Sequence, residues 1–183
     1  MSQKSFSLPY FVLFVLSRLV PHPTNLTAAV ATSVFTGARC SKKWAILSTL
    51  LALLLTDAVL ACIQGHNLFG SWSLFTYSGL LSITWFATRL RLHSIPHQAA
   101  ALLSCAVFFW LWTNVGCFLT MNEYSKNLSG LMQCFTLAIP FLEHQLIGNL
   151  LWFFLITGVE TATKRRLNST ALPAATTHTE STK

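Results

Sequence analysis

Asp57 stands in the stretch LLLTDAVL, residues 53–60, within the 20-residue run WAILSTLLALLLTDAVLACI over 44–63, whose only charge it is. At the centre of a membrane helix an ionised Asp costs about 2.5–3.5 kcal/mol on insertion scales. Such a carboxylate must be paired, neutral or in contact with water. Two roles fit it: a structural ion pair with Arg18, or a contact to a polar ligand in a wet cavity. Asn25, Asn114 and Asn149 can donate and accept hydrogen bonds at such a site. Gln145 and Asn149 are four apart and share a helix face. Amides of this kind also tie membrane helices together, at about 0.6 kcal/mol each.

Other chemistries find little support. No GxxxxGK stretch is present to cradle a nucleotide. Ser129-Gly130 with His144 resembles a serine–histidine membrane protease only faintly, because the nucleophile lacks a flanking glycine. His66, His144 and Asp57 lack the tight spacing of a metal site. Cys40, Cys62, Cys105, Cys117 and Cys134 form no CxxC pair and are odd in number. The chain is therefore expected to be no enzyme and to hold neither metal nor cofactor. The Asn25-Leu-Thr27 and Asn127-Leu-Ser129 sequons matter only in a glycosylating secretory system.

The elements that position these residues are helices. Of 183 residues, 53% are hydrophobic and only 9% are charged, against about 25% charged in a soluble domain. So sparse a charge cannot coat a soluble surface, and the lipid bilayer is the expected solvent. Runs near the 20 residues a membrane helix needs occupy 44–63, 70–88, 99–120 and 141–159. Two shorter runs, 6–20 and 25–38, complete an all-α, polytopic bundle of about six transmembrane helices. The second is expected to be buried in protein, with Ala29, Ser33 and Gly37 at spacing four to admit a neighbouring helix. Residues 6–20 lack a signal-peptide cleavage site and are taken as a retained span. Residues 124–140 are expected as an interfacial or re-entrant helix. The bundle occupies 1–162, and the Ser-, Thr- and Ala-rich segment 163–183 is expected as a disordered cytoplasmic tail.

The net charge of +7 comes from short cationic clusters between apolar runs, which argues for topology signals and no nucleic-acid partner. With six spans, Lys4, Arg39, Lys42, Lys43, Arg89, Arg91, Lys164, Arg165, Arg166 and Lys183 fall on one side. Arg18 and Lys126 fall on the other. The positive-inside rule then puts both termini in the cytoplasm of a cell inner membrane. In this frame Asp57 lies roughly 9 Å below the outer end of its helix. Arg18, Asn25, Tyr77, Asn114, Gln145 and Asn149 share its outer half, so a polar site for a small-molecule ligand is expected there.

PHPTNLTAAVATSVFTGA, LLLTDAVL, LWTNVGCFL and YSKNLSGLMQCFTLAIPFLEHQLIGNLLW follow in order. Over residues 8 to 160 this pattern resembles a family of small bacterial membrane proteins of unknown function, described as putative transport proteins. That family in turn resembles the substrate-binding subunits of energy-coupling-factor transporters. The resemblance implies six spans, cytoplasmic termini, an outer ligand site, and partner membrane-coupling and ATPase subunits. Asn149 departs from the acid expected at its position in many relatives, which weakens any claim to a cationic ligand. The competing expectation is a non-transporting scaffold or assembly protein whose polar cluster locks the bundle.

Overall fold

A computed structural model describes residues 8–21, 26–65, 67–90, 92 and 94–170. The described residues form seven α-helices and no strand. They are α1 (Leu8–Leu19), α2 (Ala29–Arg39), α3 (Lys42–Gln64), α4 (Ser71–Ala87), α5 (Ile95–Thr120), α6 (Leu128–Leu137) and α7 (Ile139–Thr170).

The helices are arranged around α2, which packs on α1, α3, α4, α5 and α7. Every residue from Ala29 to Gly37 is buried, as expected for this small-residue segment. Small side chains allow helix backbones to approach closely where lipid supplies no hydrophobic drive. The neighbour admitted by Gly37 is α4 of the same chain, at Thr84 and Ala87. Phe35 fills the centre, stacked between Tyr10 and Phe153 at centroid distances of 6.3 and 6.2 Å. The Thr49 and Thr84 hydroxyls meet at 3.0 Å and join α3 to α4.

Local sequence sets the helix ends. Gly65 closes α3 in the left-handed conformation, φ 68°, its N–H donating to the Ala61 carbonyl at 2.9 Å, as a glycine C-cap does. Asn127 caps α6 by accepting from the Gly130 N–H at 2.9 Å, so this sequon asparagine has a structural task. Pro140 cannot donate to the ladder, and the chain breaks between α6 and α7.

The outside of the bundle is apolar. Leu47, Leu51 and Leu55 on α3, Phe108 and Leu111 on α5, and Leu151, Phe154 and Leu155 on α7 are all exposed. Asp57, Gln145 and Asn149, together with many Ser and Thr side chains, are buried. An exposed apolar mantle of this extent marks a surface that contacts a membrane or another protein. α3, α5 and α7 are long and apolar enough to cross a membrane. That is three helices among the described residues, fewer than the six expected. α1, α2 and α4 have 12, 11 and 17 residues, or about 18, 16 and 26 Å, against a hydrocarbon core of about 30 Å. The last helix also runs through Thr170, so residues 163–170 are helical where a disordered tail was expected. Residues 171–183 lie outside the described part.

Candidate functional site

The site begins with Asp57. Its position places a carboxylate on the inner face of α3, where α1 and α4 pack. Arg18, one residue before the end of α1, reaches across: Nη2 donates to Asp57 Oδ1 at 2.8 Å and Nη1 to Thr56 Oγ1 at 3.0 Å. Tyr77 on α4 donates its hydroxyl to Asp57 Oδ2 at 2.8 Å. Both carboxylate oxygens are therefore engaged, while the Asp57 side chain is only 3% exposed. This is how the chain accommodates an acid amid apolar residues: two helices, α1 and α4, bring it a cation and a hydroxyl. Hydrogen bonds to a charged group contribute about 1.5–3 kcal/mol. Tyr77→Phe should accordingly lower stability by about 1.5 kcal/mol, read from the unfolding midpoint in detergent.

A cavity of about 510 Å³ opens on the other side of Arg18. It is walled by α1, α4, α5, α6 and α7 and by the segment leading into α2. Its polar lining includes Arg18, Thr113, Asn114, Tyr124 and Gln145; its apolar lining includes Leu80, Phe109 and Phe141. Asn114 lies half-buried on this wall, its Nδ2 donating to the Trp110 carbonyl at 2.7 Å. Gln145 crosses from α7 to α5, where its Nε2 donates to the Ala106 carbonyl at 2.8 Å.

Of the five expected site residues, Arg18 and Asn114 line the cavity, and Asp57 stands behind Arg18 rather than on the wall. Asn149 is 1% exposed and absent from the wall. Its Nδ2 donates to the Gln145 carbonyl at 2.8 Å, and its Oδ1 has no partner among the described residues. Asn25 falls outside the described residues. Gln145, one turn from Asn149 on the same face, takes the wall position instead. Sequence spacing pointed to that face but not to which of the two amides meets the hollow. Tyr77, placed by the sequence only in the same outer half as Asp57, is distinguished by its hydrogen bond to that carboxylate.

The cysteines are free, and among the described residues no three His, Cys, Asp or Glu side chains gather to hold a metal. A family model describing a family of unknown function, DUF6580, matches residues 2–174. The chain belongs to DUF6580. No curated protein and no solved structure matches it. Within this DUF6580 chain the match covers all seven helices, and so both the Arg18–Asp57–Tyr77 cluster and the cavity beside it.

Proposed function

We propose that this chain is a membrane transport protein, or the substrate-binding membrane subunit of a small-molecule uptake transporter. The observation that carries this reading is the cavity of about 510 Å³ with Arg18 on its wall. Small-molecule sites have volumes of about 300–1,000 Å³, mostly apolar walls and a few convergent polar groups. A guanidinium has five N–H donors. Arg18 gives one to Asp57 and one to Thr56, leaving donors for a ligand carboxylate or carbonyl. Asn114 and Gln145 add amides on the facing helices.

The six-helix membrane arrangement belongs to the same proposal. The 17 residues of α4 are close to the lower limit for a span, about 17. α2 is enclosed by protein and needs no match to lipid thickness. The cation distribution favours cytoplasmic termini in a cell inner membrane. Membrane-coupling and ATPase partners rest on the family resemblance alone.

One observation favours the scaffold reading: the Asp57 carboxylate is satisfied within the protein. Ligand-dependent thermal stabilisation separates the two. The panel is water-soluble vitamins, nucleobases and amino acids, applied to the purified wild type and Asn114→Leu. A ligand at 100 times its Kd adds about 2.7 kcal/mol. The expected result is stabilisation of the wild type that disappears in Asn114→Leu, whose own unfolding midpoint is unchanged. Equal midpoints throughout the panel would favour the scaffold.

A further inference from the structure

The cation-rich end of the bundle holds a second polar cluster. Glu160 of α7 accepts from the Tyr10 hydroxyl of α1 and, at 2.6 Å, from Arg39 Nη2 at the end of α2. The Arg39 guanidinium also lies 4.4 Å from the Phe35 ring centroid. Sequence patterning had treated Arg39 only as a topology signal.

Two hollows flank this cluster and share Arg39, Glu160 and Lys164 on their walls. The first, about 710 Å³, is lined on its apolar side by Pro9, Leu13, Leu155, Ile156 and Val159. It lies between α1 and α7, which each pack on α2 and are tied to one another by the Tyr10–Glu160 hydrogen bond. Leu155 and Val159 are exposed there, so the groove faces the lipid side of the bundle. The second, about 360 Å³, lies between α2, α5 and α7 and is polar. It is lined by Gln98, Thr157 and Thr161. Gln98 is buried, its Nε2 donates to the Leu92 carbonyl at 3.2 Å, and its Oε1 has no partner among the described residues.

We propose that these two hollows form one site for an anionic glycerophospholipid whose headgroup carries hydroxyls. The acyl chain occupies the apolar groove, and the phosphodiester meets Arg39 and Lys164. Charge selects the headgroup. Among the described lining residues, two cations and one carboxylate leave a single positive charge, which one phosphodiester neutralises. A headgroup hydroxyl supplies the donor that Gln98 Oε1 lacks; an unpaired buried acceptor is otherwise costly. An ethanolamine headgroup adds an ammonium and restores the imbalance. This site is separate from the cavity beside Arg18 and does not depend on that cavity's ligand.

The test is native mass spectrometry of the full chain in detergent, with equimolar phosphatidylglycerol and phosphatidylethanolamine of identical acyl chains. One bound phosphatidylglycerol is expected, preferred about five-fold, since a basic residue at a membrane surface contributes about 1 kcal/mol toward an anionic lipid. Lys164→Gln should reduce that adduct about five-fold. Lys164 is exposed, so the variant folds. Gln98→Leu should reduce the preference as well. Lys43, exposed at the same end and on neither wall, is the control. An equal loss in Lys43→Gln would identify unspecific surface attraction and overturn the site. Equal binding of both lipids, or displacement by free glycerophosphate, would overturn it too.

Discussion

Asp57→Ala lowers the stability of the folded bundle by about 3–5 kcal/mol, the cost of removing one partner from a buried ion pair. The effect arises from what remains. Arg18, its side chain 16% exposed, is left with a guanidinium that has lost its charge partner, and the Tyr77 hydroxyl loses its acceptor. Arg18→Met in the same chain removes the stranded cation. The double variant is therefore expected to be more stable than Asp57→Ala alone, with a coupling of 0.5–3 kcal/mol in the usual range for contacting residues. Unfolding titrations in mixed detergent micelles, on the wild type, two single variants and the double variant, measure the cycle. A cost below about 1 kcal/mol for Asp57→Ala would match an exposed salt bridge and place the pair in contact with water. In that case Asp57 returns to consideration as a ligand contact.

The same cluster marks how far the sequence could be read. An acid in the middle of an apolar run demands a partner, and Arg18 was the nearest available cation by depth. That much follows from charge and helix rise. Tyr77 did not follow, because an aromatic residue in a membrane segment has packing and interfacial roles that are equally common. The burial of α2 was legible because Ala, Ser, Thr and Gly are poor lipid-facing residues and good helix-contact residues. The number of long spans was not. Hydropathy marks where a chain is apolar, but helix ends depend on turns and on Pro, as at Pro140. Asn149 was assigned to the ligand wall by depth alone. Gln145 and Asn149 share a helix face, and the one turn of about 6 Å between them decides which amide meets the hollow: Gln145 lines the cavity and Asn149 is enclosed by protein. Glu160 escaped notice for a different reason: just past the end of the apolar run 141–159 an acid looks solvated until a cation and a phenol arrive from two other helices.

Gly37→Leu is expected to destabilise the bundle by about 3 kcal/mol, the upper part of the usual overpacking range. A Cβ at Gly37 would sit 2.6 Å from Ala87 Cβ and nearer still to the Thr84 carbonyl oxygen. The Thr84 obstacle is backbone, and the Ala87 methyl sits directly on it. Neither can rotate away, so α4 itself must shift. That shift is felt beyond the contact, because α4 also carries Tyr77 to Asp57 and Thr84 to Thr49. Gly37→Leu should therefore weaken the Tyr77–Asp57 hydrogen bond, and Tyr77→Phe should cost less in the Gly37→Leu background than in the wild type. Gly158→Leu is the matched control: it too lies on a helix, but a Cβ there meets nothing within 4 Å, and its effect should fall within about 0.5 kcal/mol of zero. Unfolding midpoints of these four variants and the wild type decide the matter. If Tyr77→Phe costs the same in both backgrounds, α4 has accommodated the leucine locally and the crossing is softer than its geometry requires. If its cost shrinks, the small residues of α2 set the distance that holds Tyr77, and through it Asp57 and Arg18, beside the cavity.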